Sequence, residues 1–249
     1  MPEREKRQRL DVLLTERGLT ESREQARRLI MAGAVIVNEQ RVDKPGSLVD
    51  ISAPLRIKDE ARSRYVSRGG DKLEAALRAF ALDVTQVVAL DVGASTGGFT
   101  DCLLQHGAAK VFAVDVGYGQ LAWSLRQDPR VVSVERCNIR ALTPEMLSEI
   151  PTLAVIDASF ISLTLVVPKV LSLIAPQGTV IALIKPQFEV GKGKVGKGGV
   201  VRDPRLHTEV VERLRARAEE WQVEIKGVIE SPLLGPKGNK EFFLCLQKP

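Results

Sequence analysis

The sequence predicts an α/β protein: an open, mostly parallel sheet with helices on both faces, preceded by a small α+β domain. Three observations predict it. From residue 87 onward, apolar runs at 87–92, 111–114, 131–134, 153–156, 180–184, 223–229 and 241–246 alternate with stretches of helical periodicity, the rhythm of strand–helix–strand units. The first run ends in a glycine-rich turn, Asp91-Val92-Gly93-Ala94-Ser95-Thr96-Gly97-Gly98-Phe99, where glycines let the backbone turn sharply and approach a ligand with no Cβ in the way. Residues 1–58 read differently, as two short helices and a few short strands. The polar, aperiodic stretch 59–66 is the expected linker to a large domain over 67–249.

In the small domain, residues 9–17 place Leu10, Val12, Leu13 and Leu14 on an apolar side, and Gly18 stops this first helix. Ser22 and Gln25 have the S-x-x-Q form of a capping box for a second helix, and Gly33 suits the left-handed position just past its end. Residues 35–37 and 41–42, across Asn38-Glu39-Gln40, read as a hairpin, with 55–57 as a further short strand. Arg23, Arg27 and Arg28 fall on neighbouring parts of the second helix, where guanidinium groups suit bidentate contact with phosphates, and Arg9, Arg41 and Lys44 extend that face. An ordinary solvated helix with pairing such as Glu24 to Arg28 would look the same. Two short helices followed by Gly-Ala-Val-Ile-Val-Asn and a basic β segment resemble the S4-like αL RNA-binding module of a small-subunit ribosomal protein, pseudouridine synthases and tyrosyl-tRNA synthetases, and the resemblance implies RNA binding.

Charge agrees with that location. The 249 residues carry a formal +5, and residues 1–72 hold 16 of the 36 basic and 12 of the 31 acidic side chains, a net of +4. A local basic excess favours a polyanion. Cys102, Cys137 and Cys245 have no C-x-x-C spacing, and His106 and His207 are the only histidines, so neither a metal site nor a disulfide framework is expected. The opening MPEREKRQRL lacks a secretory apolar core, and the greasiest stretch, 153–183, is broken by Asp157, Lys169 and Pro176. The expectation is a cytoplasmic protein with no membrane partner.

In the large domain the ligand is narrowed by what the glycine loop lacks. It is neither G-x-G-x-x-G nor followed by Gly-Lys-Ser/Thr, which disfavours a dinucleotide and a P-loop phosphate. Its D-x-G-x-x-x-G-G form resembles the S-adenosylmethionine loop of class I, Rossmann-like methyltransferases, which places the cofactor against Asp91 and residues Gly93, Ala94, Ser95, Thr96, Gly97, Gly98 and Phe99. Asp115 ends the second strand, where a carboxylate can accept from both ribose hydroxyls of the cofactor, and Asn138, after the third strand, offers an amide to the adenine.

The acceptor is read from the fourth strand end. Asp157-Ala158-Ser159-Phe160 lacks the prolines that accompany amino-group methylation, and no cysteine follows a proline as a ring-carbon nucleophile would. An alcohol acceptor needs deprotonation. Asp157 and Lys185 each end an apolar run, where catalytic groups of open α/β sheets sit. With Lys72 and Glu241 they supply two amines and two carboxylates for a ribose hydroxyl. In this reading a neutral Lys185, its affinity for protons lowered by burial and by Lys72, takes the 2′-hydroxyl proton, while Asp157 orients it and lies near the sulfonium methyl. Lys72, at a helix start, and Glu241, at a strand start, read equally well as surface charges.

Five segments then converge: Ser67-Arg68-Gly69-Gly70-Asp71-Lys72-Leu73, the glycine loop, Asp115-Val116-Gly117-Tyr118-Gly119-Gln120-Leu121, Asp157-Ala158-Ser159-Phe160-Ile161-Ser162-Leu163 and Lys185-Pro186-Gln187-Phe188-Glu189-Val190-Gly191. Together they resemble the TlyA (hemolysin A) family over essentially the whole chain. The resemblance implies an S4-like domain joined to an FtsJ-like methyltransferase domain and 2′-O-methylation of cytidine in rRNA, with ribosomal subunits as partners. Its Lys-Asp-Lys-Glu tetrad falls on Lys72, Asp157, Lys185 and Glu241, and its cofactor loop on 93–98 with Asp115. Thr96 stands where a proline is common in the wider FtsJ pattern.

Residues 191–199 are too glycine-rich for regular structure and carry Lys192, Lys194 and Lys197; they read as a lid over RNA or as a plain flexible loop. The aromatics at 118–123 suit the lining of the cofactor site, a stacked nucleotide or, for Trp123, the core. Resemblance favours a large-subunit target, with the small subunit as the alternative. A membrane-active protein, suggested by the hemolysin name, finds no long apolar or strongly amphipathic segment. A non-catalytic RNA-binding scaffold is the remaining alternative.

Overall fold

The computed structural model describes residues 6–20, 22–57, 64–191 and 193–249, Pro236 by its backbone alone. The chain divides into two compact units, 1–63 and 64–249. The predicted linker, 59–66, falls largely outside the described residues, as does Lys192.

The small unit runs β1 (Arg7–Arg9), α1 (Leu10–Glu16), α2 (Arg23–Met31), β2 (Val35–Val37), β3 (Gln40–Val42), β4 (Leu48–Asp50) and β5 (Leu55–Ile57). Helix α2 starts as its capping residue dictates, the Ser22 side chain accepting from the Gln25 N–H. Gly18 and Gly33 take the left-handed conformation that ends each helix. Strands β2 and β3 are joined by Asn38-Glu39, both at positive φ, the two-residue turn whose twist matches a hairpin. Strand β5 pairs with the other edge of β2. Leu10, Leu14, Ala26, Ile30, Val35 and Ile57 close the core between the helices and this sheet. The pair β1–β4 was not expected, because strands of three residues are too short to carry a periodic signal; their pairing is fixed by residues some forty positions apart.

The large unit comprises α3 (Arg68–Ala79), β6 (Val88–Val92), α4 (Gly98–Gln105), β7 (Lys110–Val114), α5 (Trp123–Arg126), β8 (Val131–Val134), β9 (Leu153–Ile156), α6 (Leu163–Leu171), β10 (Thr179–Ile184), α7 (Pro186–Glu189), α8 (Pro204–Glu220), β11 (Glu224–Glu230) and β12 (Phe242–Gln247). Its seven strands lie in the order β11-β12-β10-β9-β6-β7-β8. The five strands from β10 to β8 are parallel, whereas β12 is antiparallel to both neighbours. Two apolar layers fill the faces: Leu90, Phe112, Ile156 and Ile184 with helices α6 and α8, and Val111, Val155, Ile181 and Phe243 with α3 and α4. Both faces of the inner strands are thus apolar, as continuous runs of Val, Ile and Leu require.

The topology places the site. The chain leaves β6 toward β7 and β8 on one side and returns to β9 and β10 on the other, so the strand order reverses between β6 and β9. Ligands of open α/β sheets bind outside the carboxyl ends at such a switch point. Register puts Val92 level with Ile156, so the glycine loop and Asp157 emerge together.

Candidate active site

Gly93 and Gly97 are the two loop glycines whose conformation is obligatory, at φ +85° and +96°. A Cβ on Gly93 would stand 2.9 Å from the Asp157 carbonyl oxygen, and one on Gly97 2.2 Å from Leu125. Gly98 serves helix packing instead: a Cβ there would meet the Ser67 hydroxyl and the backbone at Gly70. Phe99 is buried and packs against Phe243 at 6.2 Å between centroids, so its place is the core beneath the loop. Ala94 is buried, while Ser95 and Thr96 are exposed at the loop's tip.

Asp115 anchors the loop from β7, Oδ2 accepting from the Ser95 N–H at 2.8 Å and Oδ1 from the Gly117 N–H at 2.7 Å. Each oxygen keeps a further lone pair toward the groove bounded by Ala94, Gln120 and Leu121. Asn138 is exposed, and its side-chain oxygen accepts from the Arg140 N–H, which leaves its amide nitrogen free of that cap. Trp123 is 73 % exposed, which removes the core-packing option for this residue.

Asp91 is wholly buried at the end of β6. The Thr100 hydroxyl donates to Oδ2 at 2.6 Å, and Oδ1 has no hydrogen-bond partner among the described residues. Burial pushes this carboxyl up to about 7, against the pull of Thr100 and with help from the charges of Asp157 and Asp115. Its contribution to stability is therefore full below the ordinary value of 3.8 and is lost as the pH rises through about 7, because only the folded chain binds the proton in that window. Asp91→Asn, which cannot ionise, should gain on the parent chain by up to ~4 kcal/mol between about pH 4 and pH 8. Denaturant titrations at both pH values measure this; parallel stability curves for the two proteins would refute it.

The four tetrad residues form two ion pairs on adjacent strand ends. Lys185, just past β10, places Nζ 2.6 Å from Asp157 Oδ1, 3.2 Å from the Asp157 carbonyl and 2.8 Å from the Ser159 hydroxyl. Lys72, inward on α3, donates to Glu241 at 2.5 Å, and both are buried. Register pairs Ile184 with Phe242, so Lys185 and Glu241 leave neighbouring strands at one level. The surface-charge option for Lys72 and Glu241 is thereby removed. Each amine has its own carboxylate, a pairing the residue pattern did not specify.

Several supporting residues went unremarked in the sequence. Ser159 holds Lys185. Gly235 clears space for Glu241, whose Oε1 would lie 2.0 Å from a Cβ there. Asn239 is buried and bridges the Val201 N–H and the Gly199 carbonyl, tying the end of the glycine-rich segment to the loop that delivers Glu241. Glu189 accepts from the Leu163 N–H and the Ser162 hydroxyl, bracing the segment after Asp157 against α7. Apart from Gly235, six residues before Glu241, these residues find their partners 26 or more positions away, so no local signal marked them.

Of the basic residues, Arg27, Arg28, Arg41 and Lys44 are exposed, with the Arg41 guanidinium over Gly33. Arg9 and Arg23 are held on the buried Asp11, whose carboxyl falls to about 2, chiefly through the Arg9 hydrogen bond. Lys194 donates to both carboxylate oxygens of Glu209 on α8, whereas Lys197 is exposed. Among the described residues no group of His, Cys, Asp or Glu is placed to hold a metal, and no helix is long and apolar enough to cross a membrane.

This strand order with a glycine loop at its switch point defines a methyltransferase, and comparison with known families agrees: the FtsJ-like methyltransferase family matches residues 65–248 and the S4 domain family residues 8–53. The chain is 52% identical over 98% of its length to YqxC of Bacillus subtilis, provisionally named an rRNA methyltransferase, covering 87% of that protein. It is 50% identical over 97% of its length to the 16S/23S rRNA (cytidine-2′-O)-methyltransferase TlyA of Mycobacterium tuberculosis, covering 90% of it. A solved Streptococcus thermophilus structure bearing a hemolysin name superposes with a TM-score of 0.77 at 47% identity, over 98% of this chain and 89% of that one. The chain belongs to the TlyA family.

Proposed function

We propose that the protein uses S-adenosylmethionine to methylate the 2′-hydroxyl of a cytidine in rRNA, in the large subunit first of all. The observation that carries this is the Lys185 amine, seated at a strand end between Asp157 and Ser159 and beside the glycine loop. The residues present fit the cofactor: the positive-φ glycines 93 and 97 turn the loop at the switch point, and the buried Asp91 Oδ1 lacks a partner among the described residues. Gly93, Ala94, Ser95, Thr96 and Gly97 would line it, Asp115 would accept from its ribose hydroxyls, and the Asn138 amide would flank its base. When bound, it supplies an electrophilic methyl group.

The chain's own residues then activate the acceptor. Once Lys185 has given up one proton to solvent, Asp157 and the Ser159 hydroxyl can accept its two remaining N–H bonds, and its lone pair is left for the 2′-hydroxyl proton. Lys72 and Glu241 hold the neighbouring strand end as a neutral buried pair, with Glu241 Oε1 left without a hydrogen-bond partner among the described residues. The exposed arginines of the S4 domain and the lysines of 191–199, Lys192 among them, engage the RNA backbone.

Labelled methyl transfer to purified large and small ribosomal subunits, with the nucleotide located by a 2′-O-methyl-sensitive primer-extension stop, tests the proposal. Ribose label in the large subunit is the expected result. Label in a base would overturn the tetrad's role, and no label with cofactor binding intact would overturn rRNA as the substrate.

A further inference from the structure

Asp11 is an unusual residue to bury completely on a seven-residue helix, since an ionised carboxylate away from water is costly unless paired and hydrogen-bonded. Its partners are two arginines from different elements. Arg9 donates Nε to Oδ1 and Nη2 to Oδ2, both at 3.0 Å, and Arg23 donates Nε to Oδ2 at 3.0 Å. Arg9 alone would neutralise the carboxylate and occupy both oxygens. The second arginine leaves the cluster with a net positive charge at the surface.

The two arginines are used unequally. Arg9 spends one edge of its guanidinium on Asp11, and its Nη1 lies over Gly46. Among the described residues Arg23 spends only Nε, so both terminal nitrogens remain as a fork, and its side chain is 55 % exposed. Such a fork matches two oxygens of a phosphate. An arginine already held in one rotamer also loses less freedom on binding than a mobile one.

We propose that Asp11 is the positioning residue of a phosphate clamp: its buried carboxylate fixes Arg9 and Arg23 against each other, so that the outer fork of Arg23 meets an RNA phosphate. This rests on the RNA-binding reading of the S4 domain, and it makes a prediction of opposite sign to simple electrostatics. Removing a negative charge near an RNA-binding surface should strengthen attachment to a polyanion. Here, losing the carboxylate should weaken it, because the guanidinium groups are released.

The test is equilibrium binding of the full-length protein to purified large-subunit rRNA across a salt series, for the parent chain, Asp11→Asn, Arg23→Gln and the double variant. Asp11→Asn and Arg23→Gln are each expected to weaken binding roughly tenfold and to lower the salt slope by about one unit, with the double no weaker than either. Arg23→Gln weakened but Asp11→Asn as tight as the parent, or tighter, would overturn the positioning role while leaving RNA contact standing. Arg23→Gln without effect would sink the RNA reading of this arginine itself. A double variant falling far below Arg23→Gln alone would show that Asp11→Asn unfolds the domain and forfeits Arg27 and Arg28 too, which also overturns the proposal.

Discussion

Lys185→Met is expected to lower methyl transfer to rRNA by about 10²- to 10⁴-fold, the range lost with a general base, while S-adenosylmethionine still binds. Methionine keeps the length and volume of the lysine stem, and the side chain is only 10 % exposed, so packing at the end of β10 should survive. The cofactor loop is held by Asp115 and by Gly93 against the Asp157 backbone, none of which requires the amine. Lys185→Arg sharpens the test. A guanidinium keeps the positive charge and the pairing with Asp157 yet cannot be deprotonated in a protein, so it should fail as badly as methionine. Single-turnover assays with saturating cofactor and RNA separate the cases: substantial activity in the arginine variant would mean that the residue positions charge and takes no proton.

Glu241→Ala should be the most damaging single change to stability in the site. Lys72 and Glu241 are both buried and paired at 2.5 Å, and removing one member leaves an uncompensated buried ammonium at a cost of about 3–5 kcal/mol. Replacing both, as Lys72→Met with Glu241→Leu, should recover most of that loss, because well-packed apolar groups often substitute for a buried ion pair at little or no cost. Both tryptophans, Trp123 and Trp221, lie in the large unit, so urea unfolding followed by their fluorescence reports on it alone. Equal instability in the single and double variants would show that the alanine acts through a cavity and not through the orphaned charge. Neither stability result bears on catalysis.

Much of the frame was legible because it is local. The seven apolar runs became strands within a residue or two of their expected ends, since continuous Val, Ile and Leu between turn residues can bury both faces only inside a sheet. The capping serine of α2 and the left-handed glycines 18, 33, 93 and 97 were likewise readable, because each answers a demand of its own backbone. Asp157 and Lys185 stood out because they interrupt apolar runs where a parallel sheet exposes its carboxyl ends.

What the sequence by itself determined is the class of fold, the glycine loop at its switch point and the carboxylate and amine at two strand ends, for these follow from periodicity and from the conformations glycine most readily adopts. Tertiary structure alone decided the partners. It joined Lys72 to Glu241 across 169 positions of chain, set Ser159 against Lys185, fitted Gly235 beneath the Glu241 carboxylate and drew Arg9 and Arg23 onto Asp11. Composition and spacing allow many pairings among 36 basic and 31 acidic residues. The choice among them is made by burial, since a charge withdrawn from water is stable only beside the partner that the packed chain delivers to it.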